Sequence, residues 1–575
     1  MTKMRISRLV ALFEQHEIDG YIVPSSDEYQ NEYVPDCAKG LKFITGFNGS
    51  NGICILERDK GLFFTDGRYL EQSKQQLDTN YFQIFDLRDI SKTLPSLISS
   101  TQTIGYDPEL FTKQTLKVFE GVLLKQIKGN LIDKVWSDKP HEPDSEIYIY
   151  ADEFAGETYA SKLESCKEML SKHRAEALVV TSPDSICWLL NLRASDVEFS
   201  PLMLARAVIF TGKAYLFVDS KRADETVKKA RPLIDFLPAS DLKDFLKTIK
   251  GKVLVDESLA SISVASAIKN IENIPDPCKL LKARKNEVEI KHAETCHIHD
   301  AVAMCEFLSF VTGNDLSTLT EYDLGLKLTE LRKVQPGYVY DSFPVICGFK
   351  ENGAVIHYRA NVDTAKKIEG NGLLLVDSGG QYLGSTTDIT RTVSIGTPTA
   401  EEKHCYTLVL QGHIELSCAK FARGASGANL EILARKFLWA EHLDYPHSTG
   451  HGVGNFLSVH EGPQGISLKN NVPLEKGMIL SNEPGYYVPG RYGIRIENLM
   501  YVKESDHLNF LQFENLTLVP YAKELIDFNM LKRRHLEYLH EYYQKIRYLI
   551  YDLLSIDAKK WFDRQTSIVT DLTTL

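Results

Sequence analysis

The sequence predicts a multidomain α/β protein in which one α/β domain occurs twice and precedes a larger domain of helices and β-hairpins. Two observations lead to this fold class: the length of the chain and an internal duplication in its first half. With 575 residues, the chain is too long for one hydrophobic core, because such cores stop growing near roughly 250 to 300 residues. Its 43% hydrophobic and 25% charged residues exclude the disordered and fibrous classes.

The duplication is a pattern of helix, buried strand and hairpin that occurs twice. The matching segments are IDGYIVPSSD (18–27) with AEALVVTSPD (175–184), FITGFNGS (43–50) with WLLNLRAS (188–195), and GICILERDKGLFFTDGR (52–68) with AVIFTGKAYLFVDSKR (207–222). Two apolar runs around a polar turn are typical of a β-hairpin. The turn-rich segments 139–148 and 274–279 follow the two copies. We therefore predict two α/β domains, over residues 1–145 and 146–278.

The rest of the chain predicts a third domain and a helical tail. Apolar residues at three- and four-residue spacing over 280–311 predict a long amphipathic helix. Helices then alternate with Gly-rich hairpins, which places the third domain at 279–520. The tail, 521–575, contains a run at 528–554 whose apolar and aromatic residues recur at helical spacing.

Charge and cysteine content restrict the partners and the compartment. Lys+Arg 66 and Asp+Glu 77 give 66 − 77 = −11, so the chain has no basic surplus for a phosphate backbone and nucleic acid is not expected as a partner. Charged residues interrupt the apolar residues of the first twenty positions, so we expect neither a signal peptide nor a membrane-spanning segment there. The ten cysteines contain no C-x-x-C pair and are expected to be reduced. These features predict a cytoplasmic protein without a membrane partner.

Two aspartates occur in a predicted hairpin of the third domain. In GLLLVDSGGQYLGSTTDITRTVSIG (372–396), Asp377 ends an apolar strand, Gly379 and Gly380 are expected to turn the chain, and Asp388 returns opposite. A carboxylate at the end of an apolar run costs free energy unless it is paired or binds a cation. One such aspartate indicates little, and two on facing strands are a stronger indication of a ligand.

Histidines and glutamates follow further along the same domain. HSTGHGVGNFLSVHEGP (447–463) contains His447, His451 and His460, a pattern that alone is typical of a polar loop. Glu483 comes after an apolar run and before a Pro-Gly turn, and Glu497 lies in an Ile-Arg-Ile-Glu-Asn segment. The alternation of a strand would also allow Glu497 to be the ion-pair partner of Arg495.

Together, four carboxylates and one imidazole predict a dinuclear metal site. Four carboxylates carry −4 and two divalent cations carry +4, so two ions neutralise charges that could not otherwise lie together in a low dielectric. Oxygen-rich ligation with one histidine favours Mn²⁺ over a structural zinc, with Zn²⁺ and Co²⁺ as alternatives. Two metals about 3.5 to 4 Å apart can hold a bridging hydroxide, which predicts a hydrolase.

The motifs VDSGGQYLGSTTDITRT, HSTGHGVG, VHEGP, EPGYY and GIRIEN resemble those of the pita-bread metallopeptidases, family M24. Within that family the chain resembles the long, three-domain aminopeptidase P, or Xaa-Pro aminopeptidase, over roughly residues 4 to 519. IVPSSDEYQNEY, FITGFNGSNG and FTDGRY are similar to its first creatinase-like domain, and WLLNLRASDVEFSPL to its second. One departure is Ser448, where the family usually has glycine.

The resemblance implies a role for each ligand. Asp377 is then a ligand of one metal, and His451 and Glu483 are ligands of the other. Asp388 and Glu497 bridge the pair.

It also implies catalytic roles for Glu483 and three histidines. Glu483 accepts the proton of the attacking water, and His460 stabilises the oxyanion. His357, in GAVIHYR, helps to bind substrate and relay protons, and His447 lines the wall beside the second residue's ring. Without the resemblance, His357 is better interpreted as a strand histidine that a backbone carbonyl satisfies.

The activity that the resemblance implies is hydrolysis, by a metal-bridging hydroxide, of the bond between an N-terminal residue and proline. Peptides with proline in second position are the expected substrates. Prolidase is the second hypothesis, but its usual form lacks the duplicated first half, as does methionine aminopeptidase. A non-catalytic pita-bread binding module is a third hypothesis, although all five ligands are present here.

The tail supports two hypotheses about assembly. Its apolar surface could pack on its own catalytic domain as a capping helix. We favour a homodimer contact, because the long members of the family that the chain resembles pair through this region and two-fold association is common.

Overall fold

The structure, a computed structural model, describes residues 2–567. Residues 568–575 of the predicted tail lie outside the described residues. The chain divides into two compact units, one of residues 1–152 and 157–278 and the other of 153–156 and 279–575.

A six-stranded sheet forms the first part of the first unit. Its strand order is β4-β3-β2-β1-β5-β6, in which central β1 is antiparallel to β2 and parallel to β5. Its strands are β1 (Gly20–Pro24), β2 (Ile53–Glu57), β3 (Gly61–Thr65), β4 (Phe82–Asp86), β5 (Thr103–Tyr106) and β6 (Leu123–Gln126). Its helices are α1 (Thr2–Val10), α2 (Phe13–His16), α3 (Gly40–Thr45), α4 (Leu70–Gln76), α5 (Ile90–Leu97), α6 (Lys113–Leu116) and α7 (Leu131–Val135).

A second sheet repeats this arrangement. Its order, β12-β11-β10-β8-β13-β14, places the equivalent strands in the same positions, and β8 is antiparallel to β10 and parallel to β13. The strands of this sheet are β8 (Ala177–Val180), β10 (Arg206–Phe210), β11 (Lys213–Phe217), β12 (Ile234–Leu237), β13 (Val253–Val255) and β14 (Ile271–Asn273), and β7 (Tyr148–Ile149) and β9 (Leu192–Arg193) pair with each other in a separate two-stranded sheet. The helices are α8 (Asp152–Ala155), α9 (Tyr159–His173), α10 (Pro183–Leu190), α11 (Glu225–Ala230), α12 (Leu242–Thr248) and α13 (Ile262–Ser266). The predicted duplication is confirmed.

The second unit contains the helices and hairpins that the sequence predicted. Its strands are β15 (Tyr338–Asp341), β16 (Ile346–Phe349), β17 (Gly372–Ser378), β18 (Gly380–Tyr382), β19 (Ser385–Thr386), β20 (Ile389–Ile395), β21 (Lys420–Ala422), β22 (Gly450–Gly452), β23 (Glu461–Ile466), β24 (Ile479–Asn482), β25 (Gly485–Val488), β26 (Tyr492–Arg495), β27 (Asn498–Glu504) and β28 (Phe510–Asn515). Its helices before the tail are α14 (Pro277–Ala283), α15 (Glu287–Gly313), α16 (Glu321–Lys333), α17 (Ala400–Ser417) and α18 (Gly427–Trp439).

Two of its sheets bring distant parts of the sequence together. The sheet β16-β17-β20 contains the first strand pair of the predicted site, and the sheet β21-β28-β27-β24-β22-β23 contains the later strands. A large apolar core lies against the first of these sheets, with α15 and α17 contributing buried residues such as Met304, Phe307 and Leu410. A second apolar cluster, which includes Leu480 and Met500, lies against the other sheet. Buried apolar side chains therefore support the strands of both sheets.

The single helix predicted over 280–311 is wrong, because the structure has two helices there. Helix α14 ends at Ala283, and α15 begins at Glu287. Asn286 caps α15 by accepting hydrogen bonds from the backbone N–H groups of Val288 and Glu289. This capping box fixes the start of α15 at Glu287, although the apolar spacing continues through the break.

The predicted turn at Gly379 and Gly380 is also displaced. The chain turns at Leu383 and Gly384 between β18 and β19, and Gly384 has a φ of +103°. Gly379 serves a different purpose, since a Cβ on it would lie 1.9 Å from the carbonyl oxygen of Thr387. Glycine there allows the two chain segments to approach closely.

The tail packs back on its own unit. It contains α19 (Arg533–Ile550) and α20 (Ile556–Thr566). The buried side chains of α19 join the core of the second unit: Leu539, Tyr542, Tyr543, Ile546 and Ile550. The capping interpretation is therefore correct for this face of the helix. A second set of apolar side chains remains exposed, namely Tyr548 (89%), Leu553 (56%) and Ile556 (75%).

Two further expectations concern the whole chain. Within residues 2–567, no helix combines the length and the apolar character that a bilayer span requires. The ten cysteines are free thiols, and all but Cys418 are buried.

Candidate metal centre

The five predicted ligands lie at or near strand ends of the second unit. Asp377 is the penultimate residue of β17, and Asp388 directly precedes β20. His451 is the central residue of β22, Glu483 follows β24, and Glu497 lies between β26 and β27. These positions bring polar side chains to the edge of a buried framework, where backbone pairing restricts their movement.

Three of the ligands converge directly. One ligand atom from each of Asp388, His451 and Glu497 lies within 4.8 Å of the other two. The Nε2 atom of His451 is 3.5 Å from Oδ2 of Asp388 and 3.7 Å from Oε1 of Glu483. His451 Nδ1 lies 2.8 Å from the carbonyl oxygen of Gly452 and donates to it, so the lone pair of Nε2 faces the carboxylates.

Asp377 is attached to the site by Arg495. The Nη2 group of Arg495 donates to Oδ2 of Asp377 over 2.6 Å. The other oxygen, Oδ1, is buried and has no hydrogen-bond partner among the residues that the structure describes. The sequence allowed Arg495 to pair with Glu497 instead; β26 ends at Arg495, so strand alternation does not extend to Glu497.

Thr390 connects the first strand pair to Glu497. Its hydroxyl donates to Oε2 of Glu497 over 2.7 Å, and the backbone N–H of Glu497 donates to the carbonyl of Thr390 over 3.1 Å. Because Asp388 lies two residues before Thr390, the start of β20 positions both of these acidic groups.

The carboxyl groups destabilise one another's charged forms. Burial, with a further contribution from Glu497, raises the pKa of Glu483 to about 8. Burial and the charges of Asp377 and Glu483 raise the pKa of Asp388 well above its ordinary value. Burial and the charges of Asp388 and Asp377 do the same to the pKa of Glu497. Such a cluster needs protons or cations to be stable at neutral pH.

These residues fit divalent cations. Four carboxylates and the guanidinium of Arg495 sum to −4 + 1 = −3, which one divalent cation does not neutralise. The buried Oδ1 of Asp377 and the Nε2 lone pair of His451 are both available to a metal. Carboxylate oxygens with one imidazole are the ligand set of a hard or borderline cation.

Two of the predicted catalytic histidines lie beside this cluster. The ring centroid of His460 is 4.3 Å from that of His451. His447 contacts the hydroxyl of Tyr487 through Nε2 over 2.8 Å, and the same hydroxyl accepts from Arg495 Nη1 over 2.7 Å. A continuous path of contacts thus joins His447 to Asp377.

His357 lies in the segment that follows a 3₁₀ turn, Lys350–Ala354, and is half-buried. The carbonyl oxygen of the preceding residue, Ile356, accepts from Arg495 Nη2 over 3.4 Å. The guanidinium of Arg495 therefore contacts both the His357 segment and the metal cluster.

A second arginine connects the site with α19. Arg391 is fully buried and donates to the carbonyl oxygens of Glu497 over 2.6 Å and Val519 over 2.7 Å. The neighbouring Asn498 side chain donates to the hydroxyl of Tyr542 on α19 over 3.2 Å. The backbone of a candidate ligand is thereby held by the C-terminal helix.

Sequence reasoning missed several of these supporting residues. Thr390 could have been found, because it lies two residues after Asp388 on the same strand face. Tyr487 is part of the EPGYY motif, but nothing in one sequence indicates its contact with His447. Arg391 depends on contacts from distant parts of the chain and gave no local signal.

Comparison with known proteins identifies the family. The model of metallopeptidase family M24 matches residues 291–504 and that of the C-terminal region of these peptidases matches 509–569. Two models of the Creatinase/Prolidase N-terminal domain match 5–134 and 138–289.

Relatives match the chain over nearly its whole length. Probable Xaa-Pro aminopeptidase P of Laccaria bicolor is 36% identical over 98% of this chain and 93% of its own. Xaa-Pro aminopeptidase 1 of Dictyostelium discoideum is 38% identical over 94% and 92%. The crystal structure of an X-prolyl aminopeptidase from Caenorhabditis elegans, described as a cytosolic enzyme with a di-nuclear active site, superposes with a TM-score of 0.94 at 30% identity, covering 98% of this chain and 99% of that one. The chain belongs to metallopeptidase family M24 and, within it, to the group of full-length relatives named Xaa-Pro aminopeptidase.

Proposed function

We propose that the protein is a metal-dependent aminopeptidase that hydrolyses the bond between an N-terminal residue and a proline in second position. The observation that carries this proposal is the convergence of Asp388, His451 and Glu497 within 4.8 Å. This convergence occurs in a chain that matches Xaa-Pro aminopeptidases from end to end. Substrates are peptides with a free N-terminus.

Two divalent ions would be held by the five ligands. Asp377 would be a ligand of one ion, His451 and Glu483 would be ligands of the other, and Asp388 and Glu497 would be shared by both. Carboxylate-rich ligation favours Mn²⁺, with Zn²⁺ or Co²⁺ as alternatives. When bound, the ions supply Lewis-acid activation of water and of the scissile carbonyl.

The protein's own groups move the protons and orient the peptide. Glu483 accepts the proton of the attacking water, since its carboxylate lies within the ligand cluster, 3.7 Å from Nε2 of His451. His460, whose ring lies 4.3 Å from that of His451, donates to the oxygen that becomes negative. His357 binds the peptide and passes the proton on.

A proline in the second position of the substrate explains why several histidines are needed near the scissile bond. The Xaa-Pro nitrogen is a tertiary amide without an N–H, so the enzyme cannot hold it by that group and must protonate the nitrogen as it leaves. His447, fixed by Tyr487 at 2.8 Å, lines the wall beside the proline ring.

The direct test is a comparison of three peptides with Mn²⁺-loaded protein. A tripeptide with proline second should be cleaved, whereas the same peptide with alanine second and an Xaa-Pro dipeptide should not. Cleavage of the dipeptide alone would assign prolidase activity. Cleavage of none of them by protein that binds no metal would assign a non-catalytic module.

Location and assembly are part of the same proposal. We propose a cytoplasmic homodimer, supported by the Caenorhabditis elegans enzyme described as cytosolic and by the exposed apolar side chains of the tail. The proposed domains are 1–145, 146–278, 279–520 and 521–575.

A further inference from the structure

Two lysines are buried in the second unit, at the break between α14 and α15. Lys282 is 2% exposed and Lys285 is 5% exposed. Both ammonium groups pair with Glu461, Lys282 over 2.9 Å and Lys285 over 2.5 Å. Lys285 Nζ also donates to the carbonyl oxygen of Lys282 over 2.6 Å. Removing three charges from water rarely gains stability over apolar packing, so such a cluster calls for another explanation.

The position of Glu461 supplies that explanation. Glu461 is the first residue of β23 and directly follows His460. In the sheet it lies opposite Gly452, and His451 lies opposite Gly465. The two lysines therefore fix the residue that joins His460 to the strand paired with His451.

The lysine segment is itself held against the next ligand strand. The backbone N–H of Lys285 donates to the carbonyl of Gly477 over 3.0 Å, and a Cβ on Gly477 would lie 2.3 Å from the carbonyl oxygen of Lys285. Gly477 precedes β24, which ends beside Glu483. Lys285 thus contacts the segment before β24 through its backbone and the first residue of β23, Glu461, through its ammonium group.

We propose that Lys282, Lys285 and Glu461 form a positioning cluster that sets the ring of His460 against the metal site. This inference rests on the proposed function, in which His460 donates to the developing oxyanion. The cluster touches neither substrate nor metal and acts through His460. A displacement of about 1 Å in a catalytic group can cost about 10²-fold in rate, so the cluster should control turnover more than substrate binding.

Two variants of Glu461 distinguish the effect of its charge from the effect of its side-chain length. Glu461→Gln removes the charge that both lysines need, and Glu461→Asp keeps the charge but shortens the side chain by one methylene. Both should lower kcat, by up to about 10²-fold for Glu461→Gln, with KM little changed and two metal equivalents retained. Full turnover in Glu461→Asp would overturn the proposal.

A matched control exists in the same unit. Glu514 on β28 also pairs with two lysines, Lys503 over 2.6 Å and Lys545, but lies apart from the site histidines in sequence and strand. Glu514→Gln should lower Tm without lowering kcat. If it lowers kcat as much as Glu461→Gln does, the effect is one of general stability and the proposal fails.

A double-mutant cycle tests the route through His460. In a His460→Ala background, Glu461→Gln should lower kcat by much less than it does in the wild type, because the group it positions is gone. Equal losses in both backgrounds would overturn the positioning role. The same assay reports on the proposed function, since wild-type protein must first cleave a peptide with proline second.

A crystal structure of the Glu461→Gln variant gives a readout that needs no activity. The separation of 4.3 Å between the rings of His460 and His451 should increase. An unchanged separation would contradict the proposal even if the protein hydrolysed a different substrate.

Discussion

Arg495 and Asp377 form an ion pair inside the candidate metal centre, with 2.6 Å between Nη2 and Oδ2. The two carboxylate oxygens of Asp377 therefore have different surroundings. Oδ2 accepts a hydrogen bond from the guanidinium, whereas the buried Oδ1 is available to a metal ion. Tyr487 and the carbonyl of Ile356 contact the same guanidinium. The buried guanidinium of Arg495 thus fixes the orientation of a candidate ligand, Asp377, and contacts the two segments that contain Ile356 and Tyr487.

The first prediction concerns Glu483. Glu483→Gln should keep the fold and abolish hydrolysis of a peptide with proline second, because it removes a ligand charge and the proposed base while preserving shape. Circular dichroism checks the fold, and a peptide assay checks turnover. A rate within about tenfold of the wild type, or less than 1.4 kcal/mol in activation free energy, would exclude this role.

Asp388 provides a test of the metal count. Asp388→Ala should leave a site that cannot hold both ions, since the substitution removes a carboxylate that we propose both metals would share. Metal analysis after dialysis should show fewer than two equivalents of manganese. Asp506→Ala, at an exposed aspartate of the same unit, is the control and should retain both. Two equivalents in Asp388→Ala would contradict the assignment.

The histidines outside the ligand set should behave differently. His357→Ala and His460→Ala should each lower kcat, by about 10² to 10³-fold for loss of an oxyanion donor, while both metals remain bound. Metal analysis and steady-state kinetics on the same preparation check this. Loss of metal in either variant would show that the residue is a ligand.

The pKa of Glu483 predicts how pH changes the stability of metal-free protein. The folded-state pKa, about 8, lies above the ordinary value of 4.5, so the folded state binds the proton more tightly than the unfolded chain does. The resulting stabilisation is present at low pH and is lost as pH rises from about 4.5 to about 8. Tm should fall across this window.

The control for this pH effect is Glu483→Gln, which should show a shallower fall because it has no proton to lose. Adding Mn²⁺ at pH 8 should restore the Tm of the wild type, since metal and protons compete for the same carboxylate. Parallel Tm profiles for the two proteins would refute the shifted pKa.

The proposed dimer contact can be tested without cutting into the core. Deleting residues 521–575 would remove Leu539 and Tyr542, which are buried in the second unit, so truncation would confuse unfolding with dissociation. Replacing the exposed Tyr548, Leu553 and Ile556 by serine should instead convert a dimer to a monomer in sedimentation with Tm preserved. A wild-type monomer at micromolar concentration would rule out the dimer.

Much of the fold followed from local patterns in the sequence. The duplicated domains were predictable because each copy repeats apolar runs and turns in the same order, and the two sheets have the same strand order. The helix break before Glu287 was not predicted, since apolar spacing continues through it and only the capping side chain of Asn286 marks the boundary.

The candidate site also has residues that the sequence could predict and residues that it could not. Its ligands stand out in sequence because acidic and histidine residues in apolar or glycine-rich segments are unusual. The supporting contacts do not stand out, because Lys285 and Glu461 are 176 residues apart and each is an ordinary charged residue in its own segment. Only the folded chain shows that they are buried together.

The contact between α19 and the metal centre has a consequence for how the protein is made. A ribosome that has completed residue 500 has already synthesised all five ligands, yet Tyr542 and the rest of α19 are still to come. Asn498, which follows Glu497, and Arg391, which donates to the carbonyl oxygen of Glu497, then both lack the Tyr542 hydroxyl to which they donate. The candidate site is thus expected to take its final form only after α19 has been synthesised and has packed against the second unit.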